Sequence, residues 1–357
     1  PHISHIQFRA LLNIQSYLNV SMRSPSKYPR EAYGSTWHKM TMSRTDSPTS
    51  EYFPNFDILR LLLALEVVVA HLYLYSTPNT AWTGVLIMAV PAFLAISGVV
   101  VLKSYSDRVS LKDFAKRRAL RILPALIASL LLTFVLFDSQ VALNSITTWL
   151  SGGIYIPEKG YTNQALWSLA WEELAYLTLA GLWAIGAYQK PRFIWLTLVA
   201  SALTVLILSS TGFGSFPVTL TLLAQAFFVG NLAFIYRKKL HIAGRFAPWA
   251  FLALTLLIPP FPLRHLLHAV AVVWVGIAGL RIIAFRIPDI SYGVYIYHVP
   301  ILLFITEKCR ITDIQSVSWI LMTVLLPTCI ASWYLIERPF IRYKRNKKAI
   351  RTVNPGA

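Results

Sequence analysis

The sequence predicts an all-α, polytopic membrane bundle of about ten transmembrane helices with both termini in the cytoplasm. Three observations predict it. The 357-residue chain is 56% hydrophobic and only 13% charged, whereas a soluble domain carries about 25% charged residues to face water. Apolar runs of about twenty residues, the length that crosses a hydrocarbon core, recur to the C-terminal end. Lys and Arg then concentrate on alternate connections, as cytoplasmic loops require.

The runs place spans near 56–76, 83–104, 122–138, 166–187, 193–210, 216–236, 246–262, 265–285, 290–306 and 316–336. The seventh, FAPWAFLALTLLIPPFP, is short and ends in prolines. With the N-terminus inside, the inner connections 103–121, 188–192, 237–245, 281–286 and 338–351 hold 22 Lys and Arg. The outer ones hold Lys159, Arg264, Lys308 and Arg310. A miscounted span would invert every later loop, so the contrast supports both count and orientation. The same rule assigns the formal net charge of +18 to cytoplasmic loops and removes the reason to invoke a nucleic-acid partner.

Residues 1–50 are polar and have no apolar run that would serve as a signal-peptide core. They read as a disordered or non-native extension, followed by a membrane domain over 51–342 and a basic cytoplasmic tail over 343–357. The longest outer connection, 139–165, carries Trp149, Gly152, Gly153 and Tyr161, which suit an interfacial or re-entrant segment as well as a plain connector. Cys309 and Cys329 have no CxxC or His-rich company, so the sequence predicts neither a disulfide framework nor a metal site.

The first span, FDILRLLLALEVVVAHLYLY, contains Asp57, Arg60, Glu66 and His71. At about 100° per residue, Arg60 lies about 20° from His71 and Asp57 about 40° to its other side, while Glu66 points about 140° away. Arg60 and His71 share a face but differ by about 16.5 Å in depth. Ionisable residues inside a membrane face a bundle interior or a wet cavity. Either they form a structural ion pair, Asp57 with Arg60, beside a packed histidine, or they line a site. Companions exist at matching depths: Glu172 and Glu173 level with His71, Ser97 and Gly98 level with Arg60, and His298 at mid-membrane near Ser291, Tyr292 and Tyr295. A carboxylate accepting from one imidazole nitrogen would raise the basicity of the other. The basic stretch with Lys116, Arg117, Arg118 and Arg121 serves topology, lipid headgroups or the phosphates of an anionic donor.

The motifs FDILR…H, AFLAISG, KRRALRILP, LWSLAWEELAYL, SYGVYIYHVPIL and YLIERPF, in this order, resemble the acyltransferase family 3 integral-membrane O-acyltransferases. The resemblance extends over about 55–342. It implies a bacterial inner-membrane, multi-pass enzyme that moves an acyl group, acetyl above all, from cytoplasmic acyl-CoA to a hydroxyl of a cell-surface or exported glycan, with no metal. Arg60 and His71 match the family's R-x10-H pair, Ser97 its SGF motif, Arg118 and Arg121 its RxxR loop, Glu172 and Glu173 its paired acids. His298 matches its late histidine. The implied roles are catalysis for His71 with Glu172 and Glu173, and donor binding for Arg60, Ser97, Arg117, Arg118 and Arg121. Asp57, Trp167, Tyr295 and His298 are implied as substrate-binding or supporting residues. Val99 replaces the aromatic of SGF, Leu174 and Ala175 replace the usual Gln-Phe, and Glu66 departs from an apolar pattern. The rival reading is a transporter or flippase of a lipid-linked sugar, which would use the same intramembrane charges; inverted repeats would favour it, and none is visible.

Overall fold

A segment in hydrocarbon has no water for its backbone, and a helix is the structure that satisfies those groups within one segment. In the computed structural model each of the ten apolar runs overlaps a helix over at least part of its length. It describes residues 52–76, 88–106, 111–155, 157, 161–211, 215–258, 262–281 and 288–341, and among them every regular element is helical. The extension 1–50 and the tail 343–357 lie outside the described residues.

The helices are α1 (Asn55–Ser76), α2 (Ala89–Ser106), α3 (Leu111–Leu136), α4 (Ser139–Ser151), α5 (Trp167–Ala184), α6 (Arg192–Ser210), α7 (Ser215–Ile235), α8 (Ala247–Thr255), α9 (Leu263–Ala278), α10 (Ser291–Leu303) and α11 (Ile314–Ser332). Among the described residues six helices are long and apolar enough to cross a membrane: α1, α2, α3, α6, α7, and α11 with its continuation to Ile341. The others differ for physical reasons. The seventh run yields only α8, whose nine residues rise about 13.5 Å, because Pro259, Pro260 and Pro262 follow it and cannot donate to a helical ladder. Glu172 and Glu173 dilute the apolar character of α5.

Two stretches expected as connections are helical. The basic stretch from Lys112 to Arg121 forms the first turns of α3. Its Lys, Arg, Ala and Leu are strong helix formers, and Asp113 sits in the first turn, where the helix dipole favours a carboxylate. The 139–165 connection contains α4. The Asp138 side chain accepts from Val141 N (2.9 Å) at its start, and Gly152 closes it at φ 62°, a left-handed conformation that suits glycine.

Packing places α10 at the centre, against α1, α3 and α11, with every residue from Gly293 to Leu303 buried. Pro300 interrupts it and strands the carbonyl of Ile296, four residues earlier. That oxygen is answered from outside the helix, by Ser129 Oγ of α3 (2.9 Å) and by Asn163 Nδ2 (2.9 Å). Tyr292 OH donates to the Ile122 carbonyl of α3 at 3.1 Å. The helix that carries His298 is thus fastened by side-chain donors and acceptors as well as by packing.

Close helix approach joins α2 to α7. A Cβ on Gly98 would run into the Phe227 carbonyl oxygen, and one on Gly230 into the Ala95 carbonyl oxygen. Small residues let backbones meet where lipid supplies no hydrophobic drive for association. Glu66 also finds its role here. One oxygen of its carboxyl group lies against the backbone N–H groups of Ala89 and Met88, the donors at the start of α2 that have no intrahelical partner, while Oε1 is buried with no hydrogen-bond partner.

Gly230→Val should lower the stability of the detergent-solubilised protein by about 1–3 kcal/mol or more through overpacking. Gly181→Ala, which meets nothing within 4 Å, should raise it by about 0.5–1 kcal/mol through lost unfolded-state entropy. Thermal unfolding of the two variants checks both signs.

Candidate active site

The packing of α1 on α10 brings His71 to His298, a pairing that the sequence spacing did not predict. His298 Nε2 lies 3.2 Å from His71 Nδ1, with ring centroids 4.9 Å apart and ring planes 62° apart. The backbone assigns the protons. His298 Nδ1 approaches the Val294 carbonyl oxygen at 3.1 Å and therefore carries a hydrogen, leaving Nε2 as an acceptor. His71 Nδ1 approaches both the Val67 carbonyl (3.0 Å) and that acceptor, so it carries the second hydrogen. The lone pair of His71 is consequently on Nε2, the arrangement of a base held in one tautomer.

The paired acids have other polar partners. Glu172 Oε1 accepts from Ser97 Oγ at 2.5 Å and from the Tyr176 hydroxyl one turn along α5. Tyr292 and Tyr295 lie within electrostatic reach of the same carboxylate. The hydrogen-bond partners of His71 are thus Val67 and His298, and those of Glu172 are Ser97 and Tyr176; no hydrogen bond between His71 and either acid is seen among the described residues. Ser97, expected along the donor path, is held by Glu172. Glu173 faces Trp149, whose indole N–H approaches it without reaching hydrogen-bonding geometry. Trp167 packs on Phe216, with centroids 6.3 Å apart. Tyr295 OH donates to the Ala165 carbonyl (3.0 Å) and so accepts from Ser168 Oγ (2.7 Å), and its ring lies 6.2 Å from the His298 ring.

At the end of the bundle where α1 begins, the Arg121 guanidinium binds Asp289 at 2.5 Å and lies 3.9 Å from Glu337. It also stands 5.6 Å over the Trp333 ring. Arg60 contributes to the field at Asp289. Burial pushes the Asp289 carboxyl up, but Arg121 and Arg60 outweigh it and hold the group below its ordinary range. Asp57 accepts from the Tyr52 hydroxyl at the helix start. Arg118 stacks over Tyr176 (5.5 Å) and Phe114 (5.8 Å), and its Nε is buried with no acceptor. Arg117 sits one residue before it, half-buried.

Asp289, Glu337, Tyr176, Tyr75 and Glu307 were not singled out from the sequence. Glu337 lies in the YLIERPF motif, but its inward turn comes from a wide π-turn over Trp333–Glu337 that leaves it 1% exposed. At the other end, Tyr75 stacks on His71 (6.4 Å), Glu307 lies within reach of Tyr75, and Glu307 accepts from Tyr161 at 2.6 Å. Polar groups therefore follow one another from Arg118 through Tyr176, Glu172, Tyr295, His298 and His71 to Glu307. Such a file suits a reaction whose two substrates approach from different depths.

If Arg121 and Asp289 form a structural pair, Arg121→Met and Asp289→Asn should couple in a double-mutant cycle by about 1–2 kcal/mol. The figure is kept low because 24% of each side chain is exposed. Because the folded Asp289 pKa is depressed, the coupling should be present above the ordinary carboxylate pKa and vanish as pH falls through the folded value. Unfolding curves of the four proteins against pH measure it.

A family model described as an acyltransferase domain matches residues 53–338. The chain is 27% identical over 320 residues to an O-acetyl transferase of Shigella phage Sf6, an alignment that covers 80% of this chain and 95% of that protein. It is 24% identical over 378 residues to Nodulation protein 10 of Rhizobium leguminosarum bv. viciae, with 87% and 99% covered. No solved structure matches it.

Proposed function

The chain belongs to the acyltransferase family 3 of membrane O-acyltransferases, and on that premise we propose that it carries acetyl from acetyl-CoA to a sugar hydroxyl of a surface or exported glycan. In this reading the enzyme lies in the inner membrane of a bacterium, crosses it about ten times and keeps both termini in the cytoplasm. The 22 Lys and Arg on the inner connections, against four on the outer ones, support that sidedness. The relative named an O-acetyl transferase supports the acetyl group.

One observation carries the chemistry: His71, held in a single tautomer by His298 and Val67, sits part-way along a polar file through an apolar bundle. His71 Nε2 takes the proton of the acceptor hydroxyl. The freed oxygen pair attacks the thioester carbonyl, and the carbon–sulfur bond breaks with its electrons going to sulfur. The imidazolium then returns the proton to the thiolate, giving ester and CoA thiol. His298 Nε2 accepts from His71 Nδ1–H throughout and stabilises the cationic ring. Arg118, with a buried Nε that lacks an acceptor, suits a donor phosphate oxygen, and Arg117 and Lys116 add positive field at the same end. Arg121 is already paired with Asp289 and Glu337, so its contribution is to position that end of α3.

In vesicles given labelled acetyl-CoA on one side, His71→Ala should cut ester formation by about 10²–10⁴-fold. A rate equal to wild type would remove His71 from the reaction. His298→Phe should lower kcat with little change in either KM, because it removes an acceptor that fixes the base. Arg118→Ala should raise the acetyl-CoA KM by about tenfold, as loss of a charge-assisted bond implies, and leave acceptor use unchanged.

A further inference from the structure

At the start of α9 three side chains that the transfer reaction does not use crowd together. Arg264, His265 and His268 are only 6%, 4% and 7% exposed. Arg264 Nη1 donates to the Ile258 carbonyl at 3.3 Å, while its Nε and Nη2 are buried with no acceptor. Thr255 Oγ1 donates to the Leu252 carbonyl (2.6 Å), so towards His268 Nδ1, 3.3 Å away, it accepts. The His268 proton therefore sits on Nδ1, and Nε2 presents a buried lone pair that also has no partner.

Among the described residues no neighbouring helix supplies a hydrogen-bonded counter-charge. Between Glu173 and Asp289 the sequence contains no Asp or Glu. Helix α9 packs against α1, α2, α7 and α8. Of these, only α1 carries acids: Asp57 at its far end, and Glu66, which lies against the amides of α2 and makes no hydrogen bond to Arg264. The N-terminus of the 16-residue α9 adds its own preference for an anion. Alongside stand Leu254, Leu256, Leu257 and Leu263, all more than half exposed.

We propose that this is a binding site for the phosphomonoester headgroup of a membrane lipid. A phosphomonoester monoanion matches the two kinds of open valence. Its oxygens accept the forked N–H groups of Arg264, and its P–OH donates to His268 Nε2. A phosphodiester offers the oxygens without the acidic hydroxyl. The exposed leucines give the attached hydrocarbon chain an apolar surface to follow. Glycerolipid phosphate and polyprenyl phosphate share this headgroup chemistry.

The test uses the full chain in neutral detergent, without any acetyl donor, so it stands or falls separately from the transfer reaction. Native mass spectrometry follows retention of three probes: dioleoyl phosphatidic acid, a polyprenyl phosphate, and dioleoyl phosphatidylmethanol as a diester lacking P–OH. Wild type should hold at least one monoester about tenfold more tightly than the diester; His268→Phe should lose that preference, and Arg264→Gln should weaken retention of all three probes. The tighter monoester identifies the source, and equal binding of the two monoesters assigns the site to lipid phosphomonoesters in general. His268→Leu should lose the preference as well, which covers the case in which the Phe variant fails to fold. Equal binding of diester and monoesters by wild type, or undiminished preference in the His268 variants, overturns the proposal.

Discussion

Pro300 removes one backbone donor from the middle of an apolar bundle, and the answer to the carbonyl it strands sets much of the central geometry. A lone carbonyl in hydrocarbon is costly. The Ile296 oxygen escapes that cost only because Ser129 and Asn163 reach it from two different parts of the chain. The same pair of contacts fixes the height and rotation of α10 two residues from His298. Its partner His71 is fixed from α1, so the imidazole pair inherits its alignment from both helices. A proline that would ordinarily loosen a helix here fastens three segments to one atom.

The rest of the interior obeys a related rule. Among the described residues several ionisable side chains are matched by short-range partners, and these partners form a succession rather than isolated pairs. Arg121 meets Asp289, Glu172 meets two hydroxyls, and Glu307 meets Tyr161. The contrast between Arg118 and Arg121, three residues apart on α3, follows from what faces them. One stacks on rings and keeps an open N–H; the other is consumed by carboxylates. Spacing in sequence makes them equivalent, but surroundings do not.

Helical character and the positions of the apolar runs were legible because the absence of water leaves a spanning segment little choice of backbone. The eleven-residue interval from Arg60 to His71 was legible for the same reason: a helix converts spacing into face and depth. What could not be read were contacts between helices, since one-dimensional periodicity says which face is polar and not which neighbour it meets. The depth match of Glu172 with His71 suggested a pair, yet Ser97 and Tyr176 bind the acid and His298 meets the imidazole. The charge of the first turns of α3 predicts a connecting loop, although their composition favours a helix. Asp289 sits in an ordinary connecting segment, and nothing in IPDISYG marks its carboxylate as the partner of an arginine 168 residues away.

Glu66, the residue with no counterpart in the sequence pattern, has a mechanical consequence. Its carboxylate meets amides that occur at only one height on α2, so α1 and α2 cannot slide past each other. A shift of one turn, about 5.4 Å, would leave the Met88 and Ala89 N–H groups facing hydrocarbon. Ser97 lies nine residues beyond Met88, or about 13.5 Å along the axis, so its height is gauged from that latch. A buried acid thus acts as an axial stop that keeps the two helices in register.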